Sequence, residues 1–308
     1  MHIIVTGGLG HIGSYLILDL VKNISKSKIT VFDNLSTNRY ATLFQFAKHS
    51  NVDFIEKDLS KEIIDDYIKY ADVVIHLAAI TDAQSSVLIP NRIKNNNFKT
   101  TKNIVLSCSK FKTKLIFIST TSVYGSQNNL VDENCKKSEL KPQSPYAFFK
   151  LKEERIILNS FKKKKLNGVI LRFGTIYGYS IGMRFHTAVN KFCWQLYQKK
   201  PISVWKTALR QKRPYLSLND ASKAIIFIIK KNFFDNQIYN VVTQNFTVEN
   251  IINILKLYDE NVQFKFVNSK IMNQLSFEVS PNKFINKGFK FKGNMKREIF
   301  KTLKNLKK

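Results

Sequence analysis

Acidic residues are scarce: of 308 residues, 22 are Asp or Glu against 50 Lys or Arg, a formal net charge of +28 at pH 7. Cysteine is scarcer still. Cys108, Cys135 and Cys193 are odd in number and far apart, which fits neither a disulfide frame nor a clustered metal site and makes the cytosol, cytoplasmic and reducing, the expected compartment. No run approaches the roughly 18–20 consecutive apolar residues needed to span a bilayer. The richest, Ala224–Ile229, is closed by Lys230 and Lys231, so no membrane insertion is expected. The chain opens directly on HIIVTGG, without a basic and then apolar leader, which gives no ground for export. Internal repeats and low-complexity linkers are also missing, so any two lobes are expected to pack on each other across a cleft.

What is present is a 44% hydrophobic content, enough for a full core in one large or two moderate domains. The excess of base would suit a nucleic-acid binder. Its distribution argues otherwise: lysine is scattered, and the densest block, Lys162–Lys165, follows a helical segment whose C-terminal dipole already favours cations. Asn, Ile and Phe are abundant as well, and all share A/T-rich codons with Lys, so the base composition of the gene accounts for much of the charge. A remaining use would be attraction of polyanionic substrates or of an anionic surface.

Apolar runs and helix-period segments alternate through the first half: HIIVT, IGSYLILDLV, ITVFD, VDFIE, VVIHLAA, a polar-faced stretch over 91–109, LIFIST, YAFFKLKEERIIL and VILRF. Such alternation predicts βαβ units on a doubly wound parallel sheet, an α/β fold. Beyond Gly178 the pattern loosens into MRFHTAVNKFCWQLYQ, ISVW, YLSL, a helix over 219–231, IYNVV, a helix opened by Thr247 with Asn250, and helices after Pro281 and near Met295. The expected division is a dinucleotide domain over 1–178 and a smaller mixed α/β C-terminal substrate lobe over 179–308, with a segment near 212–242 returning to the first domain.

VTGGLGHIGS follows the first strand and opens a helix. Gly8, Gly10 and Gly13 satisfy GxGxxG, and Gly7, Gly10 and Gly13 satisfy GxxGxxG. Glycine there allows a tight turn and close backbone approach to a pyrophosphate, and the helix N-terminus offers N–H donors to the anion. The second strand ends in Asp33, 20 residues after Gly13, the spacing at which an acid meets the adenosine ribose hydroxyls. A carboxylate there repels a 2′-phosphate, so a Rossmann-type domain binding NAD rather than NADP is expected.

With TGGLGHIG, FDNLS, KDL, HLAA at His76–Ala79, STTSVYG at Ser119–Gly125 and YAFFK at Tyr146–Lys150, the chain resembles the extended short-chain dehydrogenases/reductases. More narrowly, it resembles their nucleotide-sugar epimerase/dehydratase group, of the UDP-galactose 4-epimerase type. The motifs are specific for fold and cofactor and much less so for the substrate. In the Tyr146–Lys150 pair, positions i and i+4 share one helix face about 5–6 Å apart. An ammonium beside a phenol of pKa near 10, with the positive nicotinamide, favours phenolate, a usable base. Pro145 before it suits a first helical turn, whose dipole also favours an anion.

The resemblance implies catalytic roles for Thr120, Tyr146 and Lys150. It implies NAD contacts from Gly7, Gly10, His11, Ile12, Gly13, Asp33, Asn34, Asp58, Leu59, Leu77, Ala78, Ala79 and Asn97, with Tyr146 and Lys150 again. Substrate contacts are implied for Thr121, Thr175, Trp205, Arg213 and Tyr215, with Arg213 gripping a diphosphate bidentately and Trp205 either stacking on the nucleobase or packing in the core.

There are departures. Relatives that remove water place acids directly after the catalytic Thr, where this chain has Thr121 and Ser122. Thr175 stands where 4-epimerases commonly have Asn, and Thr81 where a lysine often follows the HLAA strand. A second phosphate arginine is not apparent in Ile271–Ser280, and MRFHTAVNKF suggests a branch acting on less common nucleotide sugars. The implied activity is 4-epimerisation of a nucleotide-diphosphate sugar through transient C4 oxidation by NAD. A net 4-dehydrogenase or 4-keto reductase uses the same residues and stays open, as does, in a different class, a non-catalytic nucleic-acid-binding or scaffold protein on this fold. The latter has no need of Thr120, Tyr146 and Lys150 together. A homodimer is implied through helices around 91–109 and 146–163.

Overall fold

The computed structural model describes residues 1–82, 85–125, 130–267 and 277–307. Seven strands form its central sheet: β1 (His2–Thr6), β2 (Lys28–Asp33), β3 (Val52–Glu56), β4 (Val73–His76), β5 (Lys114–Thr120), β6 (Gly168–Phe173) and β7 (Ile238–Val241). Their order is β7-β6-β5-β4-β1-β2-β3, every pairing parallel. Seven helices of nine residues or more accompany them: α1 (His11–Asn23), α2 (Lys99–Phe111), α3 (Pro145–Lys162), α4 (Ala188–Tyr197), α5 (Leu218–Lys230), α6 (Val248–Lys256) and α7 (Met295–Leu306).

A parallel sheet needs helices on both faces, which is why its strands read as unbroken apolar runs. Successive side chains point to opposite faces. Ile3 and Val5 join one core with Leu16, Ile17 and Leu20 of α1 and Ala221 and Ile225 of α5. Ile4 joins another with Ile104, Val105 and Cys108 of α2 and Ile157 and Phe161 of α3. A third core belongs to the C-terminal region, where α4, α6 and α7 pack with the strand Ile202–Trp205 through Phe192, Ile251, Leu255, Ile299 and Val204.

The chain returns from that region to the first core twice. One return supplies α5 and β7, the latter in register on β6 from Ile238↔Ile170 to Val241↔Phe173. The second return, Phe284, Phe289 and Phe291, was not legible in the sequence. Phe284 and Phe289 stack with ring centroids 4.8 Å apart. Helix α6 starts where Thr247 and Asn250 suggest, through a reciprocal capping box: the Thr247 hydroxyl accepts from Asn250 N at 3.1 Å, and Asn250 Oδ1 accepts from Thr247 N at 2.9 Å. No helix among the described residues is long and apolar enough to cross a membrane.

Candidate active site

The strand order reverses between β1 and β4, the switch point where open parallel sheets bind ligands at their C-terminal edge. The two ends are stitched together there. Thr6 Oγ1 lies 2.7 Å from His76 Nδ1, His76 Nε2 lies 3.0 Å from Thr101 Oγ1, and Ala78 N donates to Thr6 Oγ1 at 3.3 Å. Burial pushes the His76 imidazole down to about 3, with the Lys150 charge acting in the same sense, so the ring is neutral.

A cleft over this edge is lined by Gly7, Gly10, His11, Ile12, Gly13, Asp33, Asn34, Asp58, Leu59, Leu77, Ala78 and Ala79. Its shape rests on the glycine turn. Gly7 has φ +70°, and a Cβ on it would sit 2.7 Å from Ala78 Cα; a Cβ on Gly13 would sit 2.5 Å from Gly8 O. Gly8 instead packs against Val31 and Ile17, so the GxxGxxG frame is the one that faces the cleft. The first-turn N–H groups of α1 lack helical acceptors, and Gly10 caps the helix without a side chain in the way. Asp33 accepts from Leu9 N and Leu35 N, each at 3.1 Å, which leaves a lone pair on each oxygen for hydroxyl donors. Burial raises its carboxyl, against the two backbone hydrogen bonds and Arg39. Asp58 is held by Ser60, whose N–H and hydroxyl donate to Oδ1 at 3.0 and 2.7 Å. A turn that a Cβ would fill, a helix N-terminus and an acid at the ribose distance together fit a dinucleotide.

Asn97 is placed differently from the expectation. It is 1% exposed and lines neither cleft: Ile80 N donates to its Oδ1 at 2.8 Å and its Nδ2 donates to Ile80 O at 2.9 Å. Its amide therefore clamps the wall of the cleft instead of reaching into it.

A second cleft continues from the first, sharing Ile12, Leu77, Ala79, Thr81, Asp82, Arg184 and His186, and gathers Thr120, Tyr146, Lys150, Thr121, Thr175, Trp205, Arg213 and Tyr215. Thr120 ends β5 and caps the turn Thr121–Tyr124, accepting from Ser122 N at 3.1 Å. Ser144 caps α3, accepting from Ala147 N at 3.2 Å, with Pro145 at the first helical position. Tyr146 thus stands in the first turn. Lys150 Nζ lies 4.5 Å from the Phe117 ring centroid.

The phenol does not respond to Lys150 alone. Burial raises the Tyr146 pKa; Lys150 and Arg184 pull it down, Glu153 pushes it up, and a hydrogen bond with Thr120 lowers it. The net shift is upward because burial, which the Tyr–Lys spacing does not reveal, outweighs the cations. Thr121 is buried with its hydroxyl donating to Phe173 O at 3.3 Å, and Thr175 pairs with Tyr215 across strands. Tyr215 borders the cleft from the third core, and burial pushes its phenol up to about 12. Trp205 both lines the cleft and packs on that core.

Two half-buried arginines, each with a buried Nε, face this space. Arg213 has an Nε with no hydrogen-bond partner among the described residues, and burial lowers its pKa. Arg184 was missed in the sequence; its Nε is likewise unpartnered, and its Nη1 donates to Thr81. It thus brings a cation to the place where Thr81 replaces a lysine. The loop bearing it is strapped to α1: His11 Nε2 lies 2.9 Å from Gly178 O, Ser180 donates to His11 O at 2.9 Å, and Gly182 N donates to Ser14 Oγ at 3.2 Å. Burial, then Arg184, pushes His11 down to about 3. The only prior sign was the charged MRFH pattern after the sheet half. Of the segment 271–280, where a second phosphate arginine is not apparent in the sequence, residues 271–276 lie outside the described residues.

The family model of the NAD dependent epimerase/dehydratase family matches residues 3–241. The chain belongs to that family. A dTDP-D-glucose 4,6-dehydratase of Dictyostelium discoideum is 31% identical over 81% of this chain, which spans only 59% of that relative's length. A putative UDP-glucose 4-epimerase of Methanocaldococcus jannaschii is 30% identical over 82% of the chain and 81% of its own. Among solved structures, a UDP-glucuronic acid 4-epimerase from Bacillus cereus, in complex with UDP-glucuronic acid and NAD, superposes with a TM-score of 0.91 at 25% identity over 100% of this chain and 99% of that one. This epimerase/dehydratase family member has NAD as its cofactor, and the dinucleotide cleft described above fits it.

Proposed function

We propose that the chain is an NAD-dependent nucleotide-sugar 4-epimerase. The observation that carries this reading is the meeting of Thr120, Tyr146 and Lys150 with two arginines, each with a buried Nε that has no partner among the described residues, in one cleft continuous with the dinucleotide cleft. Bound NAD supplies the acceptor and donor of the C4 hydride. Tyr146 takes the proton from the C4 hydroxyl and gives it back, Thr120 holds that oxygen within hydrogen-bond reach, and Lys150 stabilises the phenolate. Arg213 pairs with the diphosphate, for which guanidinium is suited by geometry. Thr121 and Ser122 carry no carboxyl, which disfavours the elimination performed by dehydratase relatives.

The sugar is proposed to carry an acid. Desolvation weakens a guanidinium unless anions stand close to it, and an acidic sugar would add one to those already acting on Arg184. Arg184, supported electrostatically by Tyr146 and Asp82, stands beside the catalytic Tyr in the shared part of the clefts, and the Bacillus cereus epimerase binds a uronic acid nucleotide. Incubation with UDP-glucuronic acid and with UDP-glucose, followed by NMR of the C4 configuration and by absorbance of reduced nicotinamide, tests both points. Inversion at C4 of the acidic sugar without net reduction supports the reading; accumulation of reduced cofactor without inversion points to a net 4-oxidoreductase instead. A homodimer is proposed through α2 and α3, which expose Leu106 at 59% and Phe148 at 43%; the mass in solution checks it.

A further inference from the structure

Helix α3 carries one more ionisable group in line with Tyr146 and Lys150. Glu153 follows Lys150 by three residues and Tyr146 by seven, and at 3.6 residues per turn all three lie along one face. It is 0% exposed and Lys150 3%. Its Oε2 lies 3.0 Å from Lys150 Nζ, while neither oxygen makes a well-aligned hydrogen bond among the described residues. Among the described residues the ammonium is therefore the one cation paired with this carboxylate, and the same ammonium acts on the phenol.

Among the described residues the surroundings offer no other charged partner. On α3 itself, Glu154 is closed into a pair with Arg172 of β6, at 2.9 and 2.7 Å, and accepts from Ser119 of β5 at 2.5 Å. Strand β4 presents His76, held neutral by burial; β5 presents the Phe117 ring; α2 presents the Thr101 hydroxyl. Lys99 and Lys102 of α2, and Arg92 and Lys94 of the preceding turn, are exposed. Arg184 also acts on Tyr146, in the same sense as Lys150.

We infer that Glu153 is a built-in counter-ion to Lys150, a positioning residue that moderates the pull of the ammonium on Tyr146 and so sets the pH at which the phenol exchanges its proton. The inference rests on Tyr146 as the proton carrier proposed above. The electrostatics run the same way: a buried negative charge behind the ammonium disfavours phenolate, and Glu153 pushes the Tyr146 pKa up. An epimerase gains from this, since the proton taken from C4 must be given back within the same turnover.

The test compares wild type, Glu153→Gln and Glu153→Asp, each loaded with NAD, in two readouts. One is the pH profile of kcat/KM for epimerisation. The other is an ultraviolet phenolate titration, with Tyr146→Phe subtracted to isolate this one ring, and it needs no turnover. Replacing the carboxylate by an amide should move the acid limb and the phenolate midpoint to lower pH by about one unit or more. The Asp variant, with its carboxylate drawn back, should move both in the same direction by less. Should Glu153→Gln fail to fold, the Asp variant decides. Unmoved midpoints in folded, NAD-loaded variants, or movement to higher pH, overturn the inference, even where activity falls uniformly as a merely structural role predicts. If no sugar is turned over but the Tyr146 midpoint still moves, the proposed reaction fails and the counter-ion stands.

Discussion

Arg172 of β6 grips Glu154 of α3 with two hydrogen bonds, Nε to Oε1 at 2.9 Å and Nη2 to Oε2 at 2.7 Å, with the two side chains 3% and 1% exposed. This pair fixes the helix that bears Tyr146 and Lys150 against the sheet. Arg172 also stacks over Tyr124, its guanidinium carbon 4.8 Å from the ring centroid. Removing one partner leaves a charge buried without compensation. Arg172→Met is therefore expected to destabilise the fold by about 3–5 kcal/mol, and adding Glu154→Leu should restore most of that. Urea unfolding of the single and double variants checks this; additive losses would contradict it.

Arg213 should govern affinity rather than chemistry. Truncation to Ala removes charge-assisted hydrogen bonds worth about 1.5–3 kcal/mol, raising KM for the nucleotide sugar about 10- to 150-fold with kcat little changed. Arg213→Lys keeps the charge without the planar fork and should fall between. A fall in kcat at unchanged KM would remove Arg213 from the diphosphate.

Acid should weaken the fold earlier than its carboxylates require. His11 and His76 are both pushed down to about 3 in the folded protein, whereas an unfolded chain protonates them near 6.5. Between those values the unfolded state binds more protons. The contribution is thus fully present above pH about 6.5 and is lost as pH falls towards about 3. Urea midpoints measured across this window should decline with acid, and His76→Gln should flatten the decline by about one proton. An equal slope in wild type and variant would place the proton uptake elsewhere.

What the sequence made legible is what local spacing encodes. The glycine turn, Asp33 at its fixed distance, the Ser144–Pro145 start of α3 and the Tyr146–Lys150 face all follow from backbone geometry over a few residues. Arg184 was not legible, because three hydrogen bonds between the 178–182 loop and α1 carry it to the site from across the chain. Burial was equally hidden. It turns Asn97 from a cleft residue into a clamp on Ile80, raises the Tyr146 phenol despite the lysine, and makes Glu153 a partner of Lys150 where its place in a charged run, KLKEER, suggests a solvated face. The second return of the chain, at Phe284 and Phe289, depends on packing against Phe227 of α5 and Tyr239 of β7, which local spacing does not encode.

In the proposed reaction Tyr146 carries the proton. The most direct test is single-turnover and steady-state rate measurement on Tyr146→Phe, with NAD binding measured in parallel. A loss of about 10²- to 10⁴-fold in kcat is expected, with NAD affinity retained. Turnover within about threefold of wild type in an NAD-loaded variant would contradict it.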